Sequence, residues 1–389
     1  MTEDKLPLSL YIHYPYCIRK CPYCDFNSYR KDSMADDDIY LKALIEDFDK
    51  SSELISGRKI NTVYIGGGTP SLFGVGRIEK LLLKISPYLS SDAEISMEAN
   101  PGTVSLESLQ GFYNAGINRI SIGVQSFNDE QLKSLGRIHD GKTAIECCKN
   151  VIKAGFCNFN VDIMHGLPGQ DVKKAMNDLS TAFDTGANHL SWYELTLEED
   201  THFGKHPPKL PTEDTLLEIE ESGFDLLCRN GFNRYEVSGY TKDKKCRHNL
   251  NYWYFGDYLG IGAGAHGKIR RGSDTLRRAN AQRVEDYLND VFSIGSDRMK
   301  YHEVAKEELP FEFMLNRLRV FEPVKFDEFS KTTALPFEGR HHLCPIPSAR
   351  HGHSRRALQF PRPHQSGIAQ TSADRLCPAD RLHHSDFEP

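Results

Sequence analysis

The chain has 389 residues, ten of them cysteines, and a formal net charge of −6 with an isoelectric point of about 6.2. This length fits two or three domains, and the mildly acidic charge gives no basis for non-specific binding to nucleic acid or an anionic membrane surface. Because the N-terminus does not resemble a signal peptide and no run of about 18 apolar residues occurs, we expect a cytoplasmic protein without a transmembrane segment.

From residue 8 to about residue 234, short β-rich runs alternate with stretches that carry apolar residues at helical spacing. This alternation predicts an α/β fold with a parallel sheet, either an open sheet or a partial (β/α)6 TIM-like barrel. Ligands of such folds gather at the carboxyl ends of the strands. The predicted strands are residues 8–14, 62–65, 94–99, 119–124, 158–164 and 189–195, and the predicted helices are residues 37–54, 76–87, 106–115, 143–154 and 172–184.

Three regions are expected along the chain. Residues 1–235 form the partial barrel, and residues 236–338 form a smaller C-terminal α+β or helical region that is rich in aromatic residues and glycine. Residues 339–389 contain no Lys, Val, Asn, Tyr or Met, and His, Arg and Pro accumulate there. Because no helical or strand periodicity survives in this tail, we expect it to be disordered or to come from a non-native reading of the coding frame.

Cys17, Cys21 and Cys24 lie close together directly after the first predicted strand. Cys21 and Cys24 alone match a thiol-disulfide oxidoreductase, and two thiols at this spacing can also bind zinc if a fourth ligand is available. Three thiolates can instead each bind one iron of an iron-sulfur cube, which leaves one iron open. Since a redox pair needs no third thiol, Cys17 favours the cluster, with the dithiol and zinc as alternatives.

Polar or glycine-containing motifs follow the other predicted strands at residues 66–70, 98–101, 125 and 162–169. A glycine or proline after one strand is ordinary loop sequence. Because parallel strands end at the same edge of the sheet, motifs after five strands, the cysteines included, indicate one ligand site at that edge.

The spacing Cys-x-x-x-Cys-x-x-Cys after a strand resembles the signature of the radical S-adenosylmethionine (SAM) superfamily. Residues 11–17, 66–70, 123–127 and 162–170 resemble its oxygen-independent coproporphyrinogen III oxidase group, and most closely the haem-chaperone branch of that group. The resemblance implies a [4Fe-4S] cluster on Cys17, Cys21 and Cys24, whose open iron binds SAM. A reduced cluster of this kind cleaves SAM into methionine and a deoxyadenosyl radical.

The same resemblance implies which residues bind SAM. Glycines let the backbone approach the methionyl amino group, carboxylate and amide side chains bond ribose hydroxyls or the methionyl end, and an arginine engages a carboxylate. The residues are Tyr11, Tyr23, Gly67, Gly68, Thr69, Glu98, Gln125, Arg137 and Asp162.

Two positions separate the branches of this group. The oxidase branch has a further cysteine at the position of Phe26, so oxygen-independent coproporphyrinogen III oxidase activity is only the alternative function. The stretch from His248 to Trp253 matches the His-Asn-x-x-Tyr-Trp motif of the haem-chaperone branch, which implies that His248 binds haem. An isolated histidine beside a tryptophan is more often a hydrogen-bonded structural residue. We therefore expect a chaperone that binds haem or porphyrin and delivers haem to respiratory haem proteins, some of them in membranes.

A glycine-rich stretch at residues 260–267 is not followed by helical periodicity, so it lacks the context of a dinucleotide-binding loop. The basic residues after it either contact porphyrin propionates or form a solvated surface. They are Lys268, Arg270, Arg271, Arg277 and Arg278.

Overall fold

The computed structural model describes residues 6–32, 35–293, 295 and 299–336, so the predicted tail at 339–389 lies outside the described residues. The strands of the described part are β1 Leu8–Tyr14, β2 Tyr16–Cys17, β3 Tyr29–Arg30, β4 Ile60–Gly67, β5 Leu89–Ala99, β6 Arg119–Gln125, β7 Phe159–His165, β8 His189–Glu194, β9 Asn233–Arg234, β10 Gly239–Thr241, β11 Asp257–Ile261, β12 His266–Arg271, β13 Asp274–Ala279 and β14 His302–Glu303.

The helices of the same part are α1 Asp37–Ser52, α2 Val75–Ile85, α3 Leu106–Asn114, α4 Asp129–Ser134, α5 Gly141–Lys153, α6 Val172–Asp184, α7 His202–Lys205, α8 Glu213–Arg229, α9 Arg247–Trp253, α10 Val284–Phe292, α11 Leu309–Arg317 and α12 Phe326–Thr333. Each predicted strand and helix is present, although β4 and β5 begin earlier than predicted. None of these helices is long and apolar enough to cross a membrane.

The larger sheet contains twelve strands in the order β14-β13-β12-β11-β1-β4-β5-β6-β7-β8-β10-β9. The strands from β11 to β8 in this order are parallel to their neighbours, and the strands outside them are antiparallel. Because β14 and β9 are not paired with each other in the described structure, the sheet does not close. The prediction of an α/β fold with a partial TIM-like barrel is confirmed.

Several helices begin at side chains that accept hydrogen bonds from their first backbone N–H groups. Asp36 caps α1, Ser105 caps α3 and Asp140 caps α5. Asp171 and Thr212 do the same for α6 and α8. Such caps satisfy donors that have no partner within the helix, and they explain why the sequence starts its helices at these points.

The two faces of the parallel strands differ in polarity. In β1, Leu10 belongs to the apolar core shared with the helices, whereas the hydroxyl of Ser9 lies 2.7 Å from that of Thr62 in β4. Further along the same polar face, Ser121 of β6 donates to Asp162 of β7 at 3.1 Å. We call this polar side of the strands the inner face. Its buried polar atoms need partners within the protein or from a bound ligand.

Asp47 of α1 is a fully buried carboxylate that joins the C-terminal strands to the first helix. It accepts hydrogen bonds from Arg278 at 2.8 Å, from Asn280 at 3.0 Å and from Tyr287 at 3.0 Å. The backbone N–H of Gly262 is a further donor at 3.2 Å. One buried charge therefore holds β13, α10 and the turn after β11 against α1.

The expectation for the basic stretch after residue 267 is wrong for two of its residues. Lys268 and Arg278 are 1% and 3% exposed, so they belong neither to a solvated surface nor to a propionate contact. Lys268 donates to the carbonyl of Phe255 at 3.0 Å and lies 3.5 Å from Asp257, and Arg278 pairs with Asp47. Asp47 is distant in sequence and Asp257 lies on the neighbouring strand, so local composition did not reveal either partner.

The strands after residue 235 extend the same sheet on both sides. β11 pairs with β1, and β10 pairs with β8. A domain boundary near residue 235 stays a prediction.

We expect Asp47→Asn to lower the free energy of unfolding by about 3 to 5 kcal/mol, because it leaves the buried guanidinium of Arg278 without its counter-charge. Urea denaturation measures this change. Asp49→Asn on the same helix is the matched control, since Asp49 pairs with Lys84 where both side chains are well exposed. Similar losses for the two variants would contradict the role given to Asp47.

Candidate functional site

The loop that carries the three cysteines is fixed at both ends by backbone pairing. β2 and β3 pair in parallel, with Cys17 beside Arg30. The N–H of Lys31 donates to the carbonyl of Cys17 at 2.8 Å, and inside the loop Cys24 N–H donates to the carbonyl of Cys21 at 3.1 Å. All three of these thiols are free of disulfides. The loop therefore presents its sulfur atoms just beyond the carboxyl end of β1.

Burial changes the protonation of these thiols. It raises the pKa of Cys17 and raises that of Cys24 to about 11, and the neighbouring thiols act in the same direction. Without a metal these two thiols are protonated near neutral pH, so they release protons when they bind one. Thr69 and Ser28 hydrogen-bond the Cys17 side chain and partly oppose the shift.

The glycine motif after β4 packs directly against this loop. Gly67 has a φ of +116°, and a Cβ there would come within 2.5 Å of the His13 ring. A Cβ on Gly68 would come within 2.7 Å of the carbonyl oxygen of Tyr16, and the Gly68 N–H donates to the carbonyl of Tyr14 at 2.7 Å. Glycine is therefore required at both positions, which brings the backbone next to the cysteine loop.

Glu98, near the end of β5, is held against the same motif. It accepts hydrogen bonds from the Tyr64 hydroxyl at 2.8 Å and from the Gly67 N–H at 3.2 Å. Burial raises its pKa from 4.5 to about 7, the bond from Tyr64 partly opposes this shift, and nearby Asp162 adds to it. The carboxyl group is thus poised to ionise when a cationic or hydroxyl-bearing ligand binds it.

Gln125 ends β6 in a strained conformation. Its φ of +73° lies in the left-handed region, and the register with β7 shifts between Gly123 and Gln125. The Tyr193 hydroxyl donates to its side-chain oxygen at 2.8 Å, which fixes the orientation of the amide. Backbone strain of this kind is typical of ligand-binding positions. Here it occurs at the last residue of β6, so the Gln125 side chain lies at the carboxyl edge of the sheet.

Arg137 and Tyr23 lie on the other side of the cysteine loop. The Arg137 guanidinium donates to the Cys21 sulfur at 3.7 Å and to the carbonyl of Gly123. Burial raises the pKa of Tyr23, while the positive charge of Arg137 opposes the shift. The structure therefore places a partly buried cation beside one of the cysteine sulfurs.

The remaining predicted SAM residues lie deeper. The hydroxyl of Tyr11 lies 3.0 Å from a ring nitrogen of His13, within hydrogen-bond distance. Asp162 accepts hydrogen bonds from Asn160 at 2.7 Å and Ser121 at 3.1 Å, and burial raises its pKa. Both residues are on the inner face, next to the residues at the carboxyl edge.

Sequence reasoning missed three residues that support the site. His13 packs on Gly67, Tyr64 bonds Glu98 and Tyr193 bonds Gln125. Strand alternation could have found His13 and Tyr64, because they lie two residues from Tyr11 and Gly66 and so share their faces.

His248 lies away from the cysteines, in the first turn of α9. It is 1% exposed, and its two ring nitrogens lie 2.8 Å from the Thr62 hydroxyl and 2.8 Å from the Tyr252 hydroxyl. Burial lowers its pKa to about 3, with the charge of Arg119 acting in the same direction. Thr62 precedes Gly67 by five positions on β4, about 16 Å along the strand, so His248 lies toward the opposite end of the sheet.

The donor set suits the expected cofactors. Three free thiols meet a glycine backbone that leaves no room for side chains, and the Nε of Arg137 is buried without a hydrogen-bond partner among the described residues. In the same part of the chain, no group of three or more His, Cys, Asp or Glu side chains is already arranged around one metal position. The three free thiols and the Nε of Arg137 are donors of the chemical type that an iron-sulfur cluster and a carboxylate-bearing ligand require, so the residues present fit the expected groups.

Comparison with known proteins identifies close relatives. The radical SAM superfamily profile matches residues 11–182. The chain is 45% identical over 332 residues to the heme chaperone HemW of Escherichia coli (strain K12), which covers 85% of this chain and 87% of that protein. It is 35% identical over 339 residues to the heme chaperone HemW of Bacillus subtilis (strain 168), and this match covers 85% of this chain and 88% of that protein.

A solved structure shares the fold. The coproporphyrinogen III oxidase HemN from Escherichia coli, a radical SAM enzyme, superposes with a TM-score of 0.73 at 22% sequence identity. The match covers 85% of this chain and 80% of that chain. At this identity the likeness shows the architecture alone.

We expect the stability of the chain to depend on pH through Glu98. Its pKa is raised in the folded state, so the stability that it contributes is present below pH 4.5 and is lost as the pH rises through about 7. Between these pH values, the free energy of unfolding should fall by about 3 kcal/mol more in the native chain than in Glu98→Gln.

Urea denaturation across this pH range measures the difference. Glu107→Gln, at an exposed glutamate of α3, is the matched control for removal of a carboxylate. A stability difference between the native chain and Glu98→Gln that stays constant with pH would show that Glu98 is not a buried titrating group.

Proposed function

Because this chain belongs to the HemW family of radical SAM proteins, we propose that it is a haem chaperone that holds a [4Fe-4S] cluster and SAM at the carboxyl edge of its sheet. The observation that carries the proposal is the contact between the loop of three free thiols and the glycine backbone of Gly67 and Gly68. The relatives named heme chaperone cover 85% of this chain, and the radical SAM profile matches residues 11–182, which contain this site.

In this proposal Cys17, Cys21 and Cys24 hold the cluster as thiolates, one to each of three irons. The Thr69 and Ser28 hydroxyls and the Arg137 guanidinium donate hydrogen bonds to sulfur, which spreads the negative charge of the thiolates. When bound, the reduced cluster would supply the electron for reductive cleavage of SAM. Arg137 can donate to the Cys21 sulfur with one of its nitrogens and still offer its unpartnered Nε to a ligand.

The surrounding residues orient SAM. Glu98 receives the methionyl amino group, because a partly buried carboxylate beside the close approach of the Gly67 backbone suits a small cation. Gln125, whose side-chain oxygen is held by Tyr193, offers its NH₂ group to the ligand. Asp162 accepts from a ribose hydroxyl in exchange for one of its present partners.

We propose that haem binds at the motif around His248, with Tyr252 and Trp253 beside the porphyrin. The neutral imidazole required of an iron ligand is provided by burial, which keeps the pKa of His248 far below neutrality. Both ring nitrogens are hydrogen-bonded in the free chain, so ligation has to displace either Thr62 or Tyr252. The hydrogen bond that is lost competes with the iron for the imidazole, so it lowers the affinity for haem.

The clients in this proposal are respiratory haem proteins, some of them membrane-bound. The chain itself works from the cytoplasm and reaches membranes through those clients. This agrees with the lack of a membrane-spanning helix among the described residues.

The alternative function, oxygen-independent coproporphyrinogen III oxidase, is disfavoured by Phe26. The oxidase branch has a cysteine at this position, and the side chain of phenylalanine offers no thiol. We expect no vinyl groups to form from the propionates of coproporphyrinogen during anaerobic incubation with SAM and a reductant. Mass spectrometry of the porphyrins would detect such a product, and finding it would overturn the chaperone proposal.

Anaerobic reconstitution should load about four irons and four sulfides per chain, and Cys17→Ser should lose most of both because one cluster thiolate is missing. Iron and sulfide analysis measures the loading. Cys157→Ser is the matched control, since Cys157 is an exposed cysteine outside the loop. A Cys17→Ser chain with full iron content would contradict the cluster, and undiminished dithiol activity in that variant would support the oxidoreductase alternative.

His248→Ala should weaken haem binding at least tenfold and change the Soret band, because the proposed iron ligand is gone. Tyr252→Phe should instead strengthen binding about two- to tenfold, since it removes a hydrogen bond that competes with iron for the imidazole. Spectroscopic haem titration measures both variants, with His202→Ala as a control at an exposed histidine. Unchanged affinity and spectrum in His248→Ala would exclude His248 as the ligand.

A further inference from the structure

Arg119 begins β6 and is buried inside the sheet without a counter-ion. It is 2% exposed, and it lies on the same face of its strand as Ser121, since alternate residues of a strand share a face. Its Nε has no hydrogen-bond partner, and no carboxylate oxygen of the described residues lies within the 4.0 Å of an ion pair. Guanidinium groups stay charged in proteins, so this buried charge has no ion pair and is compensated only at longer range, by groups such as Glu94.

A second buried group without a partner lies next to it. Ser96 of β5 is paired in register with Arg119, is 0% exposed, and its hydroxyl makes no hydrogen bond among the described residues. Orphaned buried donors are rare in folded proteins. Two of them on adjacent strands indicate that a group which accepts hydrogen bonds belongs between them.

The carboxylates of the inner face are occupied by other donors. Glu94 accepts the first backbone N–H groups of α9 at 3.1 and 3.2 Å. Glu98 accepts from Tyr64 at 2.8 Å, and Asp162 accepts from Asn160 at 2.7 Å. Their negative charges reduce the free-energy cost of burying the guanidinium from a distance, but none of them accepts a hydrogen bond from it.

We propose that Arg119 and Ser96 form a carboxylate-binding site on the inner face, between the SAM residues and His248. A carboxylate suits the pair because its two oxygens can take the guanidinium fork and the hydroxyl at once. Resting on the haem-chaperone function proposed above, the site takes a propionate of haem bound at His248. The methionyl carboxylate of SAM is the other source of the same chemical group.

The position of Arg119 supports this assignment. Its charge acts on Asp162, which is one of the SAM residues, and on His248 of the haem motif. A ligand group held here would therefore lie within reach of both parts of the proposed machinery.

The test compares haem with its dimethyl ester, in which both propionates are esterified. With the reconstituted full chain, haem should bind about ten- to a hundredfold more tightly than the ester, because a hydrogen-bonded charge is lost on esterification. Arg119→Gln should bring this ratio close to one while leaving the affinity for the ester unchanged. Arg119→Lys should restore part of the ratio, and Ser96→Ala should reduce it.

The other results are equally specific. If Arg119→Gln leaves the haem ratio intact but weakens SAM binding by the same factor, the bound carboxylate is that of SAM and the site stands. If the variant binds haem, the ester and SAM as the native chain does, the proposed site is wrong. A native chain that binds neither haem nor SAM would overturn both this site and the proposed function. If His248→Ala binds haem as tightly as the native chain, and still prefers haem to the ester by the same ratio, only the assignment of His248 as the haem ligand is overturned.

Thermal unfolding separates this role from a structural one. Because the guanidinium forms no ion pair and its Nε makes no hydrogen bond among the described residues of the ligand-free chain, Arg119→Gln should unfold at a temperature no lower than the native chain does. A strong loss of thermal stability in the ligand-free variant would show that Arg119 serves the fold, and it would overturn the proposed site.

Discussion

The parallel pairing of β1 with β4 sets Tyr14 beside Gly67, and the absence of a side chain at Gly67 allows His13 to pack there. The rest of the site depends on this close approach. It brings the glycine backbone to the start of the cysteine loop, and it gives Glu98 a backbone N–H to bond. Any larger residue would separate the loop from the strand ends that carry the ligand-binding side chains.

The inner face of the sheet gives up some folding stability in order to carry polar side chains. A sheet built for stability alone would place apolar residues on both faces, but here buried carboxylates, histidines and an arginine share the inner one. Most of them are paired, as Glu98 is with Tyr64 and His248 is with Thr62. The exceptions, Arg119 and Ser96, carry a penalty that a bound ligand can relieve, so the fold gives up stability where it is prepared to bind.

Much of the fold and of the site could be predicted from sequence because the signals are local. Strands and helices alternate with clear periodicity, and the cysteine spacing stands directly after β1. The contributions of Tyr193 and Asp47 could not be predicted, because each depends on a partner from a distant strand or helix. That of Arg119 could not be predicted because it depends on the surroundings that the folded sheet gives to a buried guanidinium. The parallel contact of β1 with β11 has the same cause, since Asp257 to Ile261 carries no sign of which strand it will join. The burial of Lys268 and Arg278 could not be predicted either, because their acidic partners are brought to them by strand pairing and by packing against α1.

Electron paramagnetic resonance of the reduced, reconstituted chain, recorded with and without SAM, tests the central claim most directly. If three cysteines hold a cluster whose open iron lies beside Glu98 and Gln125, the reduced protein should give a [4Fe-4S] signal whose g values shift when SAM is added. A cluster signal that SAM leaves unchanged, or no cluster signal after reconstitution, would contradict the account of this site.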